Sequence, residues 1–304
     1  LPISTAGITV NQFCASSQQA VMMISDALAC GKGEIGIAVG LEHMSRVPQG
    51  GYNPAFDKEL NDKNFYISMG MTAENLAKDG SISRDDQEAF AMESHRKALA
   101  AWEEGAFARE VIAIQLPDGS KAEKDEFPRE PNPEKMKSLK PAFDAKGTVT
   151  AATSSPLSIG AAVVIVATEE AAQKYGLPLR ATIESTAIAG CDYERMGLGP
   201  IPATEKVLER TGLKIEDMDV IELNEAFASQ SLAVIRDGGW TDVADKINVL
   251  GGALAIGHPL GMSGARIIGT AITALERAGG TYALATMCVG GGQGASTVLK
   301  RVGS

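Results

Sequence analysis

Two stretches of the chain repeat one pattern of apolar and polar positions. In the first, Thr9-Val10 leads through Cys14 into apolar residues at helical spacing over residues 16–29. Gly31-Lys32-Gly33 then ends the pattern, and the apolar run Ile35-Gly36-Ile37-Ala38-Val39 follows. In the second, Ile247-Asn248-Val249-Leu250 leads through glycine-rich residues and His258 into a helical period over residues 263–277. Gly279-Gly280 ends that one, and Tyr282-Ala283-Leu284-Ala285-Thr286 follows. Apolar recurrence at every third or fourth position predicts helix, a short β-branched run predicts strand, and glycine past the last turn stops a helix. Each stretch therefore predicts strand–helix–strand, and the repetition predicts an α/β fold of two related halves that face each other.

The region between the halves has another character. Gly50-Gly51-Tyr52-Asn53-Pro54 opens it, helical spacing follows over residues 69–78 and 85–104, and Ser83 stands where it could cap the longer helix. Residues 116–141 are rich in Pro, Lys, Asp and Glu and read as an excursion, suited to a lid over a site. Beyond it, Ala161-Ala162-Val163-Val164-Ile165-Val166 predicts a strand apolar on both faces, and residues 169–175 predict a helix that ends at Gly176. The resulting division is a first half over residues 1–41 and 158–178, an inserted loop or lid domain over 42–157, and a second half over 179–304.

Composition narrows the partners. A formal charge of -10 argues against nucleic acid, since phosphate binding needs concentrated positive charge. No apolar run is long enough to span a bilayer, and no secretory signal is visible. Four cysteines without paired spacing make neither a disulfide framework nor a zinc site. Free thiols fit a reducing compartment, for which the cytoplasm is the expectation, and no metal is expected. The chain starts without Met, close to a run that carries a reactive cysteine, and reads as one whose opening strands precede Leu1.

Four short motifs carry chemistry. Cys14 lies between a strand-like run and a helix start, where unpaired N–H groups and the helix dipole lower a thiol's pKa and make it a nucleophile; otherwise a single Cys is a small packing residue. His258 stands between Gly257 and Pro259, in a turn whose small residues let a ligand come close. As a neutral ring it can take a thiol proton or donate to a substrate oxygen. His43 and His95 sit in polar surroundings and read as surface or lid residues. Cys288 ends an apolar run and opens Gly290-Gly291-Gly292-Gln293-Gly294, which suits a tight hairpin, an oxyanion hole of backbone N–H groups, or both. An ordinary thiol pKa of about 8.5 would also make Cys288 a reversible acid and base at carbon. Asn224-Glu225 follows Val220-Ile221-Glu222-Leu223, and Asn224 either caps a helix there or turns its amide to the site. Cys30 and Cys191 have no such context and read as packing.

In this order the motifs resemble those of the thiolase family, in its Asn-Glu-Ala-Phe branch. The resemblance extends to Met69-Gly70-Met71-Thr72-Ala73-Glu74-Asn75, Pro141-Ala142-Phe143 and Gly147-Thr148-Val149-Thr150-Ala151, and so runs through nearly the whole chain. It implies a thiolase-like α/β fold with mixed five-stranded sheets, and acyl transfer with coenzyme A as substrate rather than as a bound cofactor. Cys14 would be acylated and His258 would activate it. Cys288 would move a proton at the acetyl-CoA α-carbon, while Asn224, through a water, and His258 would polarise the thioester carbonyl. The N–H groups of Cys14 and Gly290 would hold the oxyanion. Ser155 matches a family serine near the pantetheine, and Arg129 a basic residue near the adenosine phosphate. Arg129 with Lys135, Lys137 and Lys140 makes the lid locally positive, as a CoA phosphate requires, or else forms a solvated charge run. Acyl-CoA and CoA would be the partners, and the family assembles as a homodimer or homotetramer through the sheet of the first half.

Likeness around Ala285-Thr286-Met287-Cys288 and residues 190–200 points to the degradative 3-ketoacyl-CoA thiolases of fatty-acid β-oxidation, with the biosynthetic, acetoacetyl-CoA-forming kind as the alternative. Cys288 argues against a ketoacyl synthase, which has His or Asn there. Three departures stand out: Thr153 and Ile159 replace a family Asn and Asp, Ser17 replaces a Gly, and several dozen residues usual before the nucleophile strand are not present. The replaced Asp leaves a non-catalytic subunit that binds CoA esters as a second class of reading.

Overall fold

Where Thr9-Val10 predicted a strand, the chain runs to Cys14 without one. A strand needs a neighbour to complete its hydrogen-bond ladder, and an apolar pair does not by itself supply one. This computed structural model describes residues 1–48 and 51–303, so Gly50 of the predicted opening lies outside the described residues. The helices are α1 (Ser16–Ala29), α2 (Lys58–Asp62), α3 (Met69–Asp79), α4 (Arg84–Glu103), α5 (Pro133–Ser138), α6 (Glu169–Tyr175), α7 (Pro200–Thr211), α8 (Ala228–Asp237), α9 (Ala253–Ile256) and α10 (Leu260–Ala278). The strands are β1 (Ile35–His43), β2 (Ile114–Gln115), β3 (Lys121–Ala122), β4 (Ile159–Ala167), β5 (Ala181–Gly190), β6 (Val220–Leu223), β7 (Tyr282–Val289) and β8 (Gln293–Arg301). No helix among the described residues is long and apolar enough to cross a membrane.

Two sheets enclose a central pair of helices. β1 and β4 pair antiparallel over their whole length, from Ile35 opposite Ala167 to His43 opposite Ile159. The second sheet has the order β5-β8-β7-β6, antiparallel except for the parallel pair β6–β7. The expected five-stranded sheets thus have two and four strands. The predicted strand at Ile247-Leu250 contributes only a parallel bridge from Ile247 to Ile221.

The period-two pattern of β7 explains the layering. Ala283, Ala285 and Met287 face α1 and α10, joining Val21, Met22, Ile267, Ile268 and Leu275 in one core. Leu284, between them, turns to the other face, where Val207 of α7 and Val234 of α8 close a second core with Ile221, Leu223 and Val298. Ser17 ties the central helices together: its hydroxyl donates to Met262 O at 3.0 Å and accepts from Ala265 N at 2.8 Å. The serine that departs from the family pattern is therefore a cross-link in the middle layer.

β4 was expected to be buried on both faces. Instead its residues alternate between exposed and half-buried, and those of β1 alternate between exposed and half-buried or buried. Ile37 lies opposite Ile165 and Val39 opposite Val163, and all four are exposed on one face. The other face, with Gly36, Ala38 and Gly40 on β1, lies against the central helices. Apolarity on both faces could be read locally; what would cover the outer one could not.

The inserted region holds α2 to α5 and the β2–β3 hairpin. Ser83 caps α4 as expected, in a full capping box with Asp86. From α4, Ser94 and His95 turn inward beneath the second half, and both are buried.

Candidate active site

Cys14 sits in a single 3-10 turn, Phe13–Ala15, immediately before α1. Phe13 has φ 48, in the left-handed region that bulky residues avoid at a cost of roughly 1–2 kcal/mol. Three hydrogen bonds hold the turn there. Asn11 Oδ1 accepts from Phe13 N at 3.0 Å, Ser16 Oγ donates to Phe13 O at 2.7 Å, and the same hydroxyl accepts from Gln12 N at 2.9 Å. The helix start does not lower the thiol's pKa as expected. Burial pushes Cys14 up to about 11, against the N–H groups of Gly290 and of Cys14 itself, which face the sulfur; the Glu42 carboxylate adds to the rise. A thiol with that value, about four units above neutral pH, is ionised in only about one molecule in 10,000 at pH 7, so a nucleophilic role would require a base to take its proton.

His258 is the candidate for that base, since its ring is held neutral. Gly257 precedes it at φ +99, and a Cβ there would meet Ser158 Oγ at 2.7 Å and the Phe127 ring at 3.3 Å. Only glycine allows this approach, which brings the lid segment carrying Phe127 over the His258 turn. The imidazole is buried, and burial lowers its pKa from 6.5 to about 3, with the Arg266 guanidinium contributing. Ser263 selects the tautomer. Its single hydroxyl proton goes to Pro259 O at 2.9 Å, so Ser263 Oγ accepts from His258 Nδ1–H at 2.6 Å. The lone pair is left on Nε2, the nitrogen that lies 3.3 Å from the Asn224 amide nitrogen.

Asn224 does not cap a helix: α8 begins four residues later, with Phe227 at its N-cap. β6 ends at Leu223, and the next two side chains part company. Asn224 turns to His258. Glu225 turns away into buried donors, accepting from Ser94 Oγ at 2.6 Å, Asn248 Nδ2 at 2.8 Å and Leu254 N at 3.2 Å. Burial raises the Glu225 pKa against these donors. Glu225 thereby fastens α4 of the lid to the floor of the site, a role that sequence spacing did not show.

Cys288 lies at the end of β7, fully buried against Met69 and Ala73 of α3. Its thiol is raised well above the ordinary range by burial, with Cys14 and Cys191 adding, so the expected near-neutral pKa is corrected upward. The turn into β8 needs Gly292, at φ +81, where a Cβ would meet Cys191 O at 2.5 Å. Gly290 lies beside the Phe13 ring, at 3.9 Å from its would-be Cβ. Gln293 links this turn to the nucleophile's: Nε2 donates to Gly290 O at 3.1 Å, and Oε1 accepts from Gln12 Nε2 at 2.5 Å.

The structure thus brings Cys14 to Cys288 and Gly290, and His258 to Asn224. Ser155 adjoins them through backbone, its N–H donating to Ala226 O at 3.0 Å. Arg129 is exposed on the lid, and its backbone N–H donates to His95 Nδ1 at 3.4 Å. Cys30 is exposed, and Cys191 lies within the electrostatic reach of Cys288. A cavity of about 870 Å³ between β4, β5, α1 and α10 contains none of these residues. Two residues beside the site had escaped the sequence reading. Arg266 pairs with the buried Glu222 at 3.2 Å and approaches Asn224 Oδ1 at 3.5 Å. A Glu inside the apolar strand Val220-Ile221-Glu222-Leu223 was the signal, since a buried carboxylate requires a partner. Burial pushes Glu222 up to about 8, against the opposing charge of Arg266.

His95 was read as a surface or lid residue; it is in the lid but buried, and burial with the Arg129 charge lowers its pKa from 6.5 to about 4. Protonation also removes the lone pair that receives Arg129 N–H. The unfolded chain therefore binds this proton first. The associated stability is complete above pH 6.5 and is lost as pH falls toward 4. His95→Gln, which keeps an acceptor, is expected to reduce the acid-side loss by on the order of 1 kcal/mol per pH unit in that window. Denaturant titrations of both chains measure the difference, and identical acid slopes would count against a neutral His95.

The chain matches the family models described as "Thiolase, N-terminal domain" over residues 1–170 and "Thiolase, C-terminal domain" over residues 177–301. It is 48% identical to a 3-ketoacyl-CoA thiolase of Shewanella sp. (strain MR-7), over 99% of this chain and 80% of that protein. Human mitochondrial 3-ketoacyl-CoA thiolase in complex with CoA superposes with a TM-score of 0.90 at 36% identity, covering 99% of this chain and 79% of that one. The dimeric peroxisomal thiolase of Saccharomyces cerevisiae gives 0.91 at 39%, covering 99% and 77%.

Proposed function

We propose that this chain, which belongs to the thiolase family, cleaves a 3-ketoacyl-CoA with CoA to give acetyl-CoA and an acyl-CoA two carbons shorter. The observation that supports the reading is the coupling of two thiols, Cys14 and Cys288, beside the Gly290 turn, together with a neutral His258 imidazole paired with Asn224. His258 Nε2 takes the Cys14 proton as sulfur attacks the 3-keto carbon. The N–H groups of Cys14 and Gly290, already directed at the sulfur, are placed to receive the oxyanion. The C2–C3 bond then breaks, and its electron pair becomes the enolate of the acetyl thioester. Asn224, through a water, and protonated His258 hold that enolate oxygen. Cys288 gives its proton to C2 and acetyl-CoA leaves. CoA then yields its thiol proton to the Cys288 thiolate and attacks the Cys14 thioester, releasing the shortened acyl-CoA, and His258 returns its proton to the departing Cys14 sulfur, which restores both cysteines and the neutral imidazole. High thiol pKa values at both cysteines suit this order, since each proton moves only when its acceptor is in place.

Ser155, beside the Asn224 segment, and Arg129, on the lid, are proposed for the pantetheine and the phosphate end of CoA. The reaction suits a reducing compartment, the cytoplasm, where the four free cysteines stay reduced. Purified chain supplied with CoA and 3-ketoacyl-CoA esters of several lengths tests the reading. Acetyl-CoA and a product shorter by two carbons are expected by mass spectrometry; bound ester without turnover would instead make it a binding subunit.

A homodimer is part of the proposal, as the yeast relative is dimeric. The exposed Ile37, Val39, Val163 and Ile165 face gives association a driving force. Light scattering at micromolar concentration is expected to give twice the chain mass, and a monomer of full activity would remove this part.

A further inference from the structure

Arg266 has no step in the reaction above, yet it is the cation around which the buried acids beneath the site are arranged. We propose that Arg266, clamped by Glu222, is a positioning residue that fixes which end of the Asn224 amide faces the reaction. The inference rests on the reading of Asn224 as a donor to the enolate oxygen.

An amide presents an acceptor at one end and a donor at the other, and the surroundings decide which goes where. A guanidinium has only donors, so the Asn224 atom 3.5 Å from Arg266 Nη2 is Oδ1. Nδ2 then faces the His258 ring, 3.3 Å from Nε2 and 3.5 Å from Nδ1. Because Nδ1–H is committed to Ser263, Nε2 carries a lone pair and welcomes that N–H. The reverse orientation would set amide hydrogens against the guanidinium and Oδ1 against the Nε2 lone pair, two repulsions in a buried place. It would also turn the acceptor end toward an enolate oxygen, where only a donor helps.

Arg266 is itself fixed. Its side chain is 13% exposed and Glu222, 3.2 Å away, is 1% exposed. Glu222 and Asn224 lie two residues apart and so project to one side of β6 and its end, while Ser263 and Arg266 lie one turn apart on α10. One strand side and one helix side therefore hold both members of the pair that binds the oxygen. Glu110, Asp125 and Glu225 also feel the Arg266 charge, which makes removal of that charge alone hazardous for the fold.

The test uses the full chain and a double-mutant cycle. Arg266→Met is compared with the neutral pair Arg266→Met plus Glu222→Gln, which leaves no bare carboxylate if the single change is insoluble. The neutral pair is expected to lower kcat by about 10-fold or more, with KM for the 3-ketoacyl-CoA changed less than about threefold. In an Asn224→Ala background the same pair should cost less than about twofold, since the amide it orients is gone. Arg266→Lys, which keeps a donor for Oδ1, should retain more of kcat than the neutral pair. Alkylation of Cys14 at the parent rate reports an intact nucleophile turn in each variant. A wild-type kcat in the neutral pair, or an equal loss with and without Asn224→Ala, overturns the positioning role while leaving the thiolase reading standing. A wild-type kcat in Asn224→Ala alone overturns the reading of Asn224 and this inference with it.

Discussion

Cys14→Ala is expected to form no acyl-enzyme and to lose on the order of 10,000-fold or more in thiolysis, because the other thiol beside it, Cys288, is fully buried and raised well above the ordinary thiol range. The fold should survive. Cys14 is half-buried, its sulfur makes no hydrogen bond to another side chain among the described residues, and alanine leaves the backbone bonds of the turn in place. Intact-mass measurement after incubation with acyl-CoA should show one acyl group on the parent chain and none on the variant. The high pKa of Cys14 sharpens the expectation. A thiol that is ionised so rarely cannot act alone, so His258→Ala should also suppress acylation near neutral pH and recover part of it as pH rises toward 11. Acyl label on Cys30 or Cys191 in the parent chain would remove Cys14 from its role.

Cys288→Ala separates the two halves of the chemistry. The enolate of the acetyl thioester still has its oxygen donors, but the thiol that moves a proton at carbon is gone. Exchange of acetyl-CoA α-protons into heavy water is expected to fall by about 100-fold or more, while Cys14 still takes some acyl group from an acyl-CoA. Proton NMR of the acetyl methyl signal measures this directly. Exchange at the parent rate would mean that another group, His258 being nearest in kind, moves that proton. The variant should stay folded, although emptying a buried site beside Met69 and Ala73 costs about 1–2 kcal/mol.

Much of the local structure around these residues is legible in the sequence. α1 and α6 have the limits that their apolar spacing and glycine stops indicated, and α10 extends the predicted period by three residues at its start. Helix spacing, capping and glycine stops are written within a dozen neighbouring residues, so a sequence contains them whole. The four motifs are legible for the same reason. Cys14, Asn224, His258 and Cys288 each stand at an element's end among residues with a chemical purpose, and order alone relates them to a family.

What sequence did not determine depends on residues far away in the chain. Thr9-Val10 and Ile247-Leu250 look like strands, but neither forms one, because a ladder needs a partner that local pattern does not name. Cys14 was expected to be acidified by the helix start, and burial among distant groups outweighs that effect. Cys288, expected near neutral, is raised for the same reason. Asn224 reads as a cap until His258 and Arg266, more than thirty residues on, claim its two ends. The sequence determined which reactive groups exist and which local elements carry them, since both follow from covalent neighbours. The tertiary structure alone decided their protonation, tautomer and orientation, because desolvation and hydrogen-bond partnership are set by what folding brings from elsewhere in the chain.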